Sequence, residues 1–122
     1  MLNIDYIDAS VLVKLKEVGG VDRMDKTISQ FYEHASQKLE LAWKAAKDRD
    51  GAGLIQEIQS LKSGIGAVGA TGFIEHVTRL EDSAVKREKH NYYAMLEELA
   101  AGLIAVRNRL ENLAIYLTNE SD

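Results

Sequence analysis

The side chains able to do chemistry in this chain are few, and their spacing rules out most of the usual reactions. None of the 122 residues is cysteine, which removes disulfides, thiolate metal sites and cysteine nucleophiles. The histidines are His34, His76 and His90. Di-metal centres in helical proteins draw on Glu-x-x-His pairs, but Phe31, Phe73 and Arg87 stand three residues before these histidines, and no two histidines are four apart. No Walker sequence is present. The glycines Gly64, Gly66 and Gly69 are expected inside or at the end of a helix. The chain is therefore expected to use no metal and no cofactor. Each histidine reads as structural or solvated.

The elements that position these residues are read from hydrophobic spacing, which is helical throughout. A chain of this length is expected to form one domain, residues 1–122, with a core large enough to fold without staples. It contains no proline, which favours uninterrupted helices. A short helix is predicted from about Asp8 or Ser10 to Val18, with Val11, Leu15 and Val18 on one face and Gly19-Gly20 ending it. A long helix follows with Asp22 as its cap and the stripe Met24, Ile28, Phe31, Ala35, Leu39, Ala42, Ala46. Asp50 caps a third helix that carries Leu54, Ile58, Leu61, Ile65 and Val68 inward and stops at Gly69. A fourth starts near Thr71 and buries Phe73, Val77, Leu80 and Ala84. Asn91 is the expected cap of the last, whose stripe is Tyr92, Met95, Leu99, Leu103, Val106, Leu110, Leu113 and Leu117. The fold class is all-α: an antiparallel four-helix bundle with a short N-terminal capping helix.

Composition bounds the partners. The net charge of −4 argues against nucleic acid, whose phosphates call for a basic face. No apolar run approaches the ~20 residues that span a bilayer, and the opening residues do not read as a signal peptide. No membrane association and a cytoplasmic location are expected.

Projecting the third helix at about 100° per residue turns Gln59 away from the core stripe. Ile55 lies one turn before it on the same outer face, Lys62 one turn after and Gly66 two turns after. Glycine in a helix interior costs up to ~1 kcal/mol relative to alanine. Gly64, on another side, is assigned to close helix packing, and Gly66 to an approaching partner. A polar centre, a cation, an apolar contact and a bare backbone on one face suit a partner that brings negative charge.

The run Gln59-Ser60-Leu61-Lys62-Ser63-Gly64-Ile65-Gly66-Ala67-Val68-Gly69-Ala70 resembles the signature of histidine-containing phosphotransfer (HPt) domains, in which a histidine is followed by x-Leu-Lys-Gly and later by Gly-Ala. Asp50 before it and Leu80-Glu81 after it fit the same pattern, and the resemblance is strongest over Asp50–Glu81. Such domains are not enzymes; they relay a phosphoryl group between receiver aspartates through one exposed histidine. The resemblance implies that Lys62 helps with the phosphoryl charge and that Gly66 leaves room for the receiver. Ser63 replaces the family's glycine. Gln59 replaces the phosphorylated histidine, and a carboxamide nitrogen, being delocalised, does not attack phosphorus. The expected function is a phosphorelay protein without a phosphoacceptor. It docks a response-regulator receiver domain or a histidine kinase through Ile55, Gln59, Lys62, Ser63 and Gly66, and it has no catalytic residue. Two alternatives stand beside it: a true relay intermediate whose histidine has been substituted at position 59, and an unrelated helical adaptor.

Overall fold

The computed structural model describes residues 2–86 and 92–120. Among these residues the fold is all-α: α1 (Ala9–Lys47), α2 (Gly51–Lys62), a 3-10 helix (Ile65–Val68), α3 (Thr71–Val85) and α4 (Tyr92–Asn119), with no strand. The expected Asn91 cap, His90 and most of the charged run before it lie outside the described residues. No helix is long and apolar enough to cross a membrane, among the described residues.

Asp8 starts α1 by accepting from the Ser10 backbone N–H at 3.1 Å and from its hydroxyl at 2.6 Å. Such a cap satisfies backbone donors that the first turn leaves unpaired. The helix then breaks at Gly20, whose φ of 79° and ψ of −178° lie outside helical space, a conformation open to glycine because it has no Cβ. The short helix and the long one expected from the sequence therefore meet at Gly20, within the span written here as α1. Asp22 lies inside the resumed helix and is not its cap. Leu12, not Val18, is the buried anchor of the first segment: Leu12 is fully buried and Val18 is 75% exposed.

Beyond the bend, α1 buries Met24, Ile28, Phe31, Ala35, Leu39, Ala42 and Ala45, with Ala46 half-buried at the edge of the stripe. Asp50 caps α2 by accepting from the Gly53 N–H at 2.9 Å. α3 buries Phe73, Val77, Leu80 and Ala84. In α4 the buried line includes Leu96, Gly102 and Ala114, while Tyr92, Met95 and Leu113 sit at its margin. α1 packs against α2 and α4, α2 against α3, and α3 against α4, with the 3-10 segment lodged against α1 and α3.

The N-terminal segment before α1 is part of this packing. Ile7 is buried, the Asp8 N–H donates to the Gly69 carbonyl at 2.8 Å, and the Gly72 N–H donates to the Tyr6 carbonyl at 3.2 Å. A Cβ on Gly72 would collide with the Asn3 carbonyl oxygen, and one on Gly102 with the Ile4 side chain. The first turn of α3 therefore finds an acceptor in the chain's own N-terminus, where a helix otherwise needs a side-chain cap. At the other end, the Lys16 ammonium donates to the Leu117 carbonyl near the C-terminus of α4, where a cation also meets the negative end of the helix dipole.

Candidate functional site

α2 is shorter than its hydrophobic pattern suggests. It ends at Lys62 with Ser63 in an extended conformation, and Gly64 follows with φ 88° in the left-handed region. Ile65–Val68 form a 3-10 helix closed by Gly69 at φ 74°. The expected continuous helix to Gly69 is corrected on this point. Residues i and i+3 eclipse in a 3-10 helix, so Ile65 and Val68 share a buried face there as they would on an α-helix, and the pattern cannot tell the two apart. Gly64 has nothing within 4 Å of a Cβ position. Its reason is the left-handed turn, not close helix packing.

On α2 itself, Gln59 is exposed, as are Ala52, Gln56 and Ser63 at helical spacing around it. Ile55 and Lys62 flank this strip on the α3 side. Ile55 is half-buried and packs against the core, so it is a core-edge residue with a residual outer surface. Lys62 Nζ donates to Glu81 Oε1 on α3 at 2.8 Å, with both side chains partly shielded. The cation is thus already paired, and its charge reaches a partner only in competition with Glu81.

The opposite flank is tied to α1. His34 Nε2 donates to the Ser60 carbonyl at 3.0 Å, and the same carbonyl accepts from the Ser63 N–H at 3.2 Å. A ring nitrogen on the last carbonyls of a helix satisfies acceptors that the helix leaves open. Lys38 and Glu57 approach to 3.8 Å on the same side. Ser63, Gly64 and Ala67 line a shallow hollow with Thr27, Gln30, Phe31 and His34. Gly66 is exposed, and a Cβ there would meet nothing within 4 Å. The five residues expected to act together thus occupy two adjoining pieces of chain: Ile55, Gln59 and Lys62 on α2, Ser63 at its cap, and Gly66 on the 3-10 helix.

Two cross-helix partners were missed in the sequence reading, Glu81 for Lys62 and His34 for Ser60. They lie 19 and 26 residues away in the chain, beyond the reach of any local spacing rule. His76 Nδ1 lies 3.4 Å from Glu98 Oε1 on α4, away from this strip.

The run Gly64-Ile65-Gly66-Ala67-Val68-Gly69 has G-x-G-x-x-G spacing, but it follows a helix, whereas the dinucleotide motif follows a strand. The N-terminus of α3 beyond it is covered by the Tyr6 carbonyl. Among the described residues no group of three or more metal-ligating side chains converges. Chemically, the strip offers a carboxamide that donates and accepts hydrogen bonds, a paired ammonium and open backbone around Gly66. Comparison with protein-family models, with curated proteins and with solved structures finds no match to this chain.

Proposed function

We propose that this chain is an HPt-like docking module of two-component signalling that has lost its phosphoacceptor. The observation that carries the reading is the position of Gln59. Where the signature calls for an exposed histidine, the residue is exposed on α2, with a lysine three residues on and an open glycine seven residues on. The order in which the helices neighbour one another, α1–α2–α3–α4 and back to α1, suits an antiparallel four-helix bundle. In that arrangement the segment before Gly20 serves as the cap. The module is a single cytoplasmic domain and not an enzyme. It binds a receiver domain or a histidine kinase through the strip around Gln59, using hydrogen bonds from the carboxamide, the outer edge of Ile55 and the Lys62 charge shared with Glu81. Occupying that face modulates phosphotransfer between other proteins while this chain carries no phosphate.

Titration of fluorescently labelled receiver domains from the same genome tests the reading. At least one should bind, and Gln59→Glu and Gly66→Gln should each weaken it about tenfold, because one adds a charge repelled by the acidic receiver pocket and the other fills open space. Both positions are exposed, so helical circular dichroism should be unchanged. Normal binding by both variants would place the docking face elsewhere.

A further inference from the structure

Two hollows lie along the seam between α1 and α4, one mainly apolar and one mixed. One is lined by Tyr32, Leu39, Trp43, Leu103 and Ile104, with Glu40 beside them. The other is mixed: Val21, Ile28, Ala114 and Ile115 line it together with Asp25, Glu111 and the polar side chains of Ser29, Thr118 and Asn119. Arg107 links them: its guanidinium lies 4.7 Å from the Tyr32 ring centroid, and its Nε is 3.9 Å from Glu111 Oε1. Ile104 is 50% exposed and Ile115 is 60% exposed. Three helical turns separate them, which puts both on one face of α4 about 16 Å apart. The charged residues lining the hollows are the carboxylates Asp25, Glu40 and Glu111, and the one cation described between them, Arg107, is engaged by Tyr32 and Glu111; Lys26 and Lys44 are exposed on α1 but line neither hollow.

Two apolar anchor points on one face of α4, bordered by more carboxylates than cations, are complementary to an amphipathic helix that carries leucine-like side chains on one face and cations on its flanks. A membrane surface fits less well, since anionic headgroups would meet this acidic border. We propose that the α1–α4 seam is a docking groove for a basic amphipathic helix of a partner protein. This surface involves none of the α2 strip residues, so it stands or falls independently of the phosphotransfer reading.

The chain's one tryptophan reports on the groove, because Trp43 lines it and stacks on Tyr93 with ring centroids 5.7 Å apart. The probe is a synthetic helical peptide of about 14 residues, long enough to span both hollows, with leucines on one face and lysines on the flanks. One control carries glutamates in place of the lysines, and a second scrambles the leucines while keeping the lysines. The lysine peptide should change Trp43 emission saturably. Ile104→Asp and Glu40→Lys, both at exposed positions, should each weaken it about tenfold, and neither control should bind. Equal binding by the scrambled peptide would reduce the groove to general acidic attraction and overturn the proposal. So would a dimer of the protein alone, in sedimentation equilibrium, that Ile104→Asp dissociates, because a second copy would then be the occupant.

Discussion

Lys62 on α2 and Glu81 on α3 are joined at 2.8 Å, so the lysine of the proposed docking face is held by the neighbouring helix. Partly exposed pairs of this kind contribute at most about 1 kcal/mol to stability, but the geometry has a larger consequence for binding. Glu81→Gln should release the ammonium toward an acidic partner and speed association, with stability lowered by less than about 1 kcal/mol. Stopped-flow association rates at low and moderate salt measure this. An unchanged rate would mean that Glu81 places no restraint on Lys62.

Ile55 has two roles because it is half-buried against the core while facing the strip. Ile55→Asp should therefore lower stability by roughly 1–3 kcal/mol through loss of apolar burial and desolvation of a carboxylate. A urea midpoint that falls without a change in slope would show it. Any loss of partner binding must then be measured where the variant is fully folded. A variant as stable as the parent would contradict the core-edge placement.

The glycines should respond very differently to one added methyl group. Gly66→Ala should leave the melting temperature nearly unchanged, since nothing lies within 4 Å of the new Cβ. Gly64→Ala should cost about 1–2 kcal/mol, because its φ of 88° is left-handed space that side chains resist. Gly72→Ala should cost more, about 1–3 kcal/mol, because the new Cβ meets the Asn3 backbone and not a yielding side chain. Calorimetry on the three variants checks the order. If Gly72→Ala is as stable as Gly66→Ala, the N-terminal segment does not lie on α3 as described.

The helices were legible because apolar residues at steps of three and four leave a strong signal in Met24–Ala42, Phe73–Ala84 and Leu99–Leu117, and because Asp50 stands where a cap belongs; Asp22 met the same composition rule and is not a cap. The end of α2 was not legible, since Ile65 and Val68 satisfy both α and 3-10 spacing. Val18 misled because a short segment has too few turns to choose between Leu12 and Val11 as its buried centre. The N-terminal segment left no periodic trace; its fit depends on Gly72 and Gly102, whose missing side chains make room for backbone and for Ile4. For the candidate site, the exposure of Gln59 could be read from its place opposite Leu61 and Ile58. The pairing of Lys62 with Glu81, and of His34 with Ser60, depends on how separate helices come together.

The most direct test of the account is phosphoryl transfer to Gln59→His. The position is exposed, and exchanging glutamine for histidine there costs a few tenths of a kcal/mol at most, so the fold should be unaffected. The imidazole would present a lone pair near neutral pH, with Lys62 one turn away. Mass spectrometry after incubation with phosphorylated receivers should find acid-labile phosphate on residue 59 of the variant and none on the parent protein. A folded variant that takes no phosphate from any receiver able to phosphorylate a genuine HPt domain would contradict the account, as would substantial phosphate on His34, His76 or His90 of the parent.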